Sequence, residues 1–177
     1  MRDTYMIENP TERMQLVVDK LHQTSFFNMP AFEHDNLKCS GGLMQHSLNF
    51  WMQLEDLTHR CGLTWSRPSS PFVIAMLHHA CNIDQYCYNH DYKCWEPIGN
   101  EHGHGLLSIQ IAKKLGIELT PEEEACILYH MGDFTDLELW DGYAEAAITY
   151  PNIFWVHVAD LRLMKKYGNK TDIDQDM

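Results

Sequence analysis

Five histidines and one aspartate fall where helical spacing calls for apolar side chains. His46 shares a three- and four-residue rhythm with Leu43, Phe50, Leu54 and Leu57. His78 and His79 end the run "PFVIAMLHH", which is apolar on every side before them. His104 stands three residues ahead of Leu107, which leads on to Ile111 and Leu115. His130 follows Ile127 by three and Cys126 by four, and Asp160 shares a face with Ile153, Val156 and Leu163. A lone core histidine is commonly satisfied by a polar neighbour. A buried carboxylate is harder to place, because it needs a partner or a metal. Five helices each turning such a group inward predict a shared divalent cation held between facing helices. Imidazole nitrogens with a carboxylate oxygen suit zinc, iron, manganese, nickel or cobalt better than magnesium or calcium.

The elements that must position these groups are marked by their ends. "NPTERMQLVVDKLHQT" offers Asn9 as cap, Pro10 at the first helical position and Glu12 to complete a capping box, followed by a stripe of Met14, Val17, Val18 and Leu21. "SGGLMQHSLNFWMQLEDLTHRCG" predicts a helix from Ser40 to Gly62, and "SPFVIAMLHHACN" one capped by Ser70 with Pro71 next. "HGLLSIQIAKKLG" ends at Gly116. "TPEEEACILYHMG" opens with Thr120, Pro121 and Glu123, a second box, and closes at Gly132. "PNIFWVHVADLRLMKKYG" runs from near Pro151 to Gly168. Between Ile83 and Glu101, "IDQYCYNHDYKCWEPIGNE" is rich in aromatics and turn formers, and predicts a loop or short β-hairpin within residues 84–98. Tyr86, Tyr88, Tyr92 and Trp95 are expected to pack that excursion on the bundle, the alternative being that they line a pocket mouth. The fold expected is all-α, in one domain over residues 1–177: a core about 40–167, an N-terminal helix and lead-in over 1–39, and a tail over 168–177.

A chain of 177 residues with 45% hydrophobic side chains is enough for one real core. The formal charge of −12 argues against sequence-independent binding to nucleic acid. It also means that a phosphorylated substrate needs local positive charge, which a bound metal supplies. "MRDTYMIENP" lacks the apolar run of a signal peptide, and no apolar run reaches the ~20 residues that span a bilayer. Six cysteines without a CxxC pair read as reduced thiols, so the expected compartment is cytoplasmic and no membrane partner is expected. Cys87 and Cys94 bracket the hairpin at a spacing that fits no usual ligand pattern. His22, His59 and His90 fall on polar faces or in the loop, while His34 and His102 flank the expected centre and are candidates for substrate contact. His157, one turn before Asp160, reads as packing.

Taken in order, "GGLMQHSLN", "MLHH", "HGLLS", "LYHMG" and "HVADL" resemble the motifs of the HD superfamily of metal-dependent phosphohydrolases, and within it the small bacterial and phage-type proteins. Those carry "GGLLEHS", "LLHD", "HGEKS", "WHMG" and "LHLAD". The likeness runs from about Ser40 to Tyr167. It implies an all-helical bundle around one or two metal ions, with His46, His78, His104, His130 and Asp160 at the metal positions. It implies a phosphorylated small molecule, a nucleotide above all, as substrate. The signature His-Asp pair is here His78-His79, and an imidazole with one lone pair cannot bridge two ions as a carboxylate does. Asn82 stands where the family commonly has a substrate-facing lysine. Three outcomes stay open: His79 ligates beside His46, His78 and Asp160; Asp84, Glu101 or Asp133 replaces the lost carboxylate; or catalysis is lost and the fold serves binding of a nucleotide or protein. A di-iron oxygenase is a further alternative, because some HD-fold proteins with this histidine arrangement oxidise their substrates.

Overall fold

Asn9 opens the first helix, α1 (Pro10–Leu21): its side chain accepts from the Thr11 N–H and donates to Glu12 Oε1 at 2.8 Å. The computed structural model describes residues 9–31, 37–98, 103–132 and 140–167. α1 buries Arg13, Val17 and Leu21 at four-residue intervals and so lays one face on the core. α2 (Gly42–Cys61) lies between Gly41 and Gly62, both in the left-handed region, and buries Leu43, His46, Phe50, Leu54 and Leu57 along one stripe. Each large apolar side chain buried there contributes roughly 1.5–3 kcal/mol.

α3 (Ser70–Leu77) is buried at every position and forms the centre of the molecule, packed on α1, α2 and α5. It ends at Leu77, before the histidine pair; His78 caps it, and a 3₁₀ turn follows over Ala80–Asp84. A two-stranded antiparallel hairpin, β1 (Tyr86–Asn89) with β2 (Cys94–Pro97), makes the excursion that the turn formers predict, Tyr88 facing Trp95. α4 (His104–Lys114) crosses the end of α5 (Pro121–Leu128) at Gly105, where any Cβ would come within 2.6 Å of the Leu128 carbonyl oxygen. α6 (Trp140–Thr149) and α7 (Asn152–Tyr167) follow, α7 packing on α2 and α5. Ile153, Val156, Asp160 and Leu163 all face inward.

The result is a mostly helical bundle with one short hairpin. Several ends differ from expectation for physical reasons. α2 starts at Gly42 rather than Ser40, because Gly41 takes the left-handed turn. Ser70 is the first residue of α3 rather than its cap, and its hydroxyl donates instead to Glu123 Oε1 at 2.6 Å. α5 stops at Leu128, short of Gly132. α6 is not among the expected helices; its described side chains are exposed or half-buried, with Tyr143 and Ala146 packed against the core. Gly168 and the tail beyond it lie outside the described residues. No helix among those described is long and apolar enough to cross a membrane.

One buried ion pair fastens α1 to α5. Arg13 grips both oxygens of Glu123, at 2.6 and 2.7 Å, and also donates to Ser69 Oγ and the Glu118 carbonyl. Glu123 accepts further from Ser70 and from the Thr120 N–H, which closes the predicted capping box.

Candidate metal centre

The break after Leu77 explains the adjacent imidazoles. Consecutive helical residues point about 100° apart, but His79 leaves the helix with φ −115° and ψ 25°. Both rings thereby enter one space, their centroids 4.5 Å apart and nearly perpendicular. Ser108 of α4 clamps this turn: its hydroxyl donates to the His78 carbonyl at 3.0 Å and accepts the Cys81 N–H at 3.1 Å. Phe50 stacks flat on His78 at 4.1 Å and fixes the ring plane.

His46 from α2 meets the pair, its Nε2 2.9 Å from Nε2 of His78. Two nitrogens each about 2.0–2.1 Å from a shared zinc-like ion stand roughly 3–3.4 Å apart, so this spacing needs little adjustment. Asp160 from α7 completes the group: one ligand atom from each of His46, His78, His79 and Asp160 lies within 4.8 Å of every other, and all four side chains are buried.

Backbone carbonyls set the tautomers. His78 Nδ1 lies 2.9 Å from the Ala75 oxygen, and His130 Nδ1 lies 2.7 Å from the Ile127 oxygen. In the neutral rings each Nδ1 donates, leaving Nε2 as a lone pair. Metal-binding histidines are oriented by this kind of outer hydrogen bond.

Burial and mutual repulsion keep the rings neutral. Burial, with the charge of His130, pushes His46 down to about 3. Burial pushes His130 down to about 4, partly opposed by the Ile127 carbonyl. Burial, then the neighbouring imidazoles, hold His78 and His79 well below the ordinary histidine value. Burial also pushes the Asp160 carboxyl up to about 7. Asp160 Oδ1 and His130 Nε2 are buried without a hydrogen-bond partner among the described residues. Neutral nitrogens and an unmatched carboxylate oxygen around one small space are the donor set of a divalent transition metal, so the residues fit such an ion.

The remaining candidates fall around this group. His130, fully buried after α5, has its ring centroid 4.9 Å from that of His79 and 5.3 Å from that of His78. His104, at the start of α4, is farther out: its ring centroid is 6.2 Å from that of His79, and its Nδ1 is 3.5 Å from Cys81 Sγ. Burial pushes the Cys81 thiol up to about 11, so it remains protonated. Asn82 is buried with its amide nitrogen donating to the Ala31 and Pro30 carbonyls and its oxygen accepting from the Cys81 thiol. Asp84 is exposed. His34, Glu101, His102 and Asp133 lie outside the described residues.

Two contributors were not legible as such. Ser108, which holds the histidine turn, shows only as a serine among the apolar residues of "HGLLSIQIA". His157 does more than pack: its Nδ1 lies 2.9 Å from the His130 carbonyl, and its ring fills the space where a Cβ on Gly132 would come within 2.6 Å.

No protein-family model, curated protein or solved structure matches the chain.

Proposed function

We propose that the chain is a metal-dependent phosphohydrolase or phosphodiesterase of the HD type, acting on a nucleotide or a related phosphorylated small molecule. The observation that carries this reading is the convergence of three imidazoles and Asp160 within 4.8 Å in a buried space. The five ordered motifs supply the choice of phosphoryl chemistry. His46, His78 and Asp160 would hold the ion, with His79 as fourth donor. A divalent ion there supplies Lewis acidity toward a phosphoryl oxygen and a lowered pKa for bound water.

The protein contributes position and polarity. The Ala75 carbonyl and Phe50 hold the His78 ring in one orientation. His130 presents Nε2 as an acceptor beside the cluster, fixed in that role by the Ile127 carbonyl. In a chain of net charge −12, the ion is also the local positive charge that an anionic substrate requires. All six cysteines are free, which suits a reducing, cytoplasmic compartment.

The test is release of phosphate or nucleoside from a nucleotide panel by protein carrying Mn²⁺, Co²⁺ or Ni²⁺, with Asp160→Ala as the inactive control. No turnover by protein shown to hold its ion would overturn the hydrolase reading. A second reading, a nucleotide- or protein-binding module, is favoured by one observation: Asn82 is neutral and its amide is spent on the Ala31 and Pro30 carbonyls, so this position offers a phosphate neither a cation nor a donor. Activity appearing only in His79→Asp would establish that the natural chain is the binder.

A further inference from the structure

We infer that this centre takes a single ion, and that the second histidine of the pair sets both the number and the kind of metal. This rests on the metal-dependent reading above and adds to it.

Charge makes the first part of the case. Two divalent ions about 3.5–4 Å apart repel strongly and need an anionic ligand shared between them. Among the described residues the buried carboxylates are Glu122, Glu123 and Asp160. Both glutamates are spoken for. Glu122 accepts from the Ser66 N–H at 2.6 Å and from Asn152 Nδ2 at 2.8 Å, and Glu123 is held by Arg13. Among the described residues Asp160 alone joins the histidines as a carboxylate. His79 has the widest set of imidazole neighbours among the described residues, its ring centroid lying 4.5 Å from that of His78, 4.9 Å from His130, 5.2 Å from His46 and 6.2 Å from His104. A carboxylate there could give one oxygen to each of two ions. A neutral imidazole has a single lone pair and no charge to share.

Geometry makes the second part. The four ligand atoms of His46, His78, His79 and Asp160 fall within 4.8 Å of one another, a complement that one four-coordinate ion completes. Three nitrogens to one oxygen shift preference toward zinc, cobalt or nickel and away from manganese or magnesium. His104 and His130 then stand outside the coordination sphere.

The experiment counts ions. Chelator-stripped protein is titrated with Zn²⁺ and with Co²⁺ by calorimetry, and bound metal is measured by elemental analysis after gel filtration. The expected result is a plateau at one ion per chain, with the intense visible absorption of four-coordinate Co²⁺. His79→Asp should take a second ion and lower the Zn²⁺ over Mn²⁺ affinity ratio at least about tenfold. His104→Asn covers the case in which His79→Asp does not fold, and it should leave the one-ion plateau unchanged. Two ions per wild-type chain would overturn the inference while leaving the hydrolase reading standing. So would a folded His79→Asp with unchanged count and ratio, or a His104→Asn variant with a lowered plateau. No bound ion at all would overturn both.

Discussion

The buried groups around Glu123 and around Asp160 are built on opposite plans. Around Glu123 every lone pair is spoken for: Arg13 meets both oxygens, Ser70 and the Thr120 N–H take the rest, and the guanidinium itself finds Ser69 and a carbonyl. Burial would raise the Glu123 carboxyl, but these hydrogen bonds and the Arg13 charge outweigh it and hold it below its usual value. Around Asp160 nothing outweighs burial, and the carboxyl is pushed up to about 7. The neighbouring imidazoles are neutral and one of its oxygens has no partner among the described residues. A site that finishes its own electrostatics is a fastener. One that leaves them unfinished is shaped for something brought from outside.

The largest expected effect lies in the finished site. Arg13→Ala strands a carboxylate that is 0% exposed and should lose about 3–5 kcal/mol of stability, read from urea unfolding. Removing charge from the unfinished site should do the reverse in metal-free protein. Asp160→Asn is expected to stabilise it by a few kcal/mol above pH 7, where the native carboxyl must ionise without a counter-charge. The same variant should lose metal binding by calorimetry. A destabilised, metal-free Asp160→Asn would break the contrast.

The backbone beside His130 offers a finer probe. Gly132 has φ +56° with the His157 ring 2.6 Å from where a Cβ would stand, whereas Gly62 has φ +64° with nothing within 4 Å. Gly62→Ala should cost about 1 kcal/mol from backbone strain alone. Gly132→Ala should cost about 2–3 kcal/mol, because the ring must also move. Thermal unfolding compares the two. The smallest effect concerns pH. The Glu123 pKa is lowered in the fold, so its stabilisation is full above the unfolded value near 4.5 and is lost as pH falls through the folded value. Replacing it by Gln should flatten that acid limb of the stability profile.

Much of the unfinished site could be read from residue order. His46 and Asp160 announce themselves because a helical period exposes any polar residue on an apolar stripe, and both are buried on the stripes expected. The hairpin was legible from its turn formers. What could not be read was where α3 would end. Nothing local stops a helix between Leu77 and His78; the clamp is Ser108, thirty residues from His78 and joined to its carbonyl only in three dimensions. The finished site was hidden for a similar reason. Arg13 belongs to no sequence motif and Glu123 reads as a cap, and their meeting spans 110 positions. α6 escaped because its start carries none of the cap and proline signals that mark the other helices, and Asp141-Gly142 reads as a turn.

The paired Nδ1 contacts at the ends of α3 and α5 carry a consequence for how this chain can vary. The His78 and His130 rings are each aimed by a carbonyl three positions earlier, so their bearing is inherited in large part from the length of their helices, with Phe50 holding the plane of His78 besides. The aliphatic interior is free to drift toward other shapes of equal volume. A single inserted or deleted residue in either helix would swing a ring out of line, and that is the change this architecture has least room to absorb.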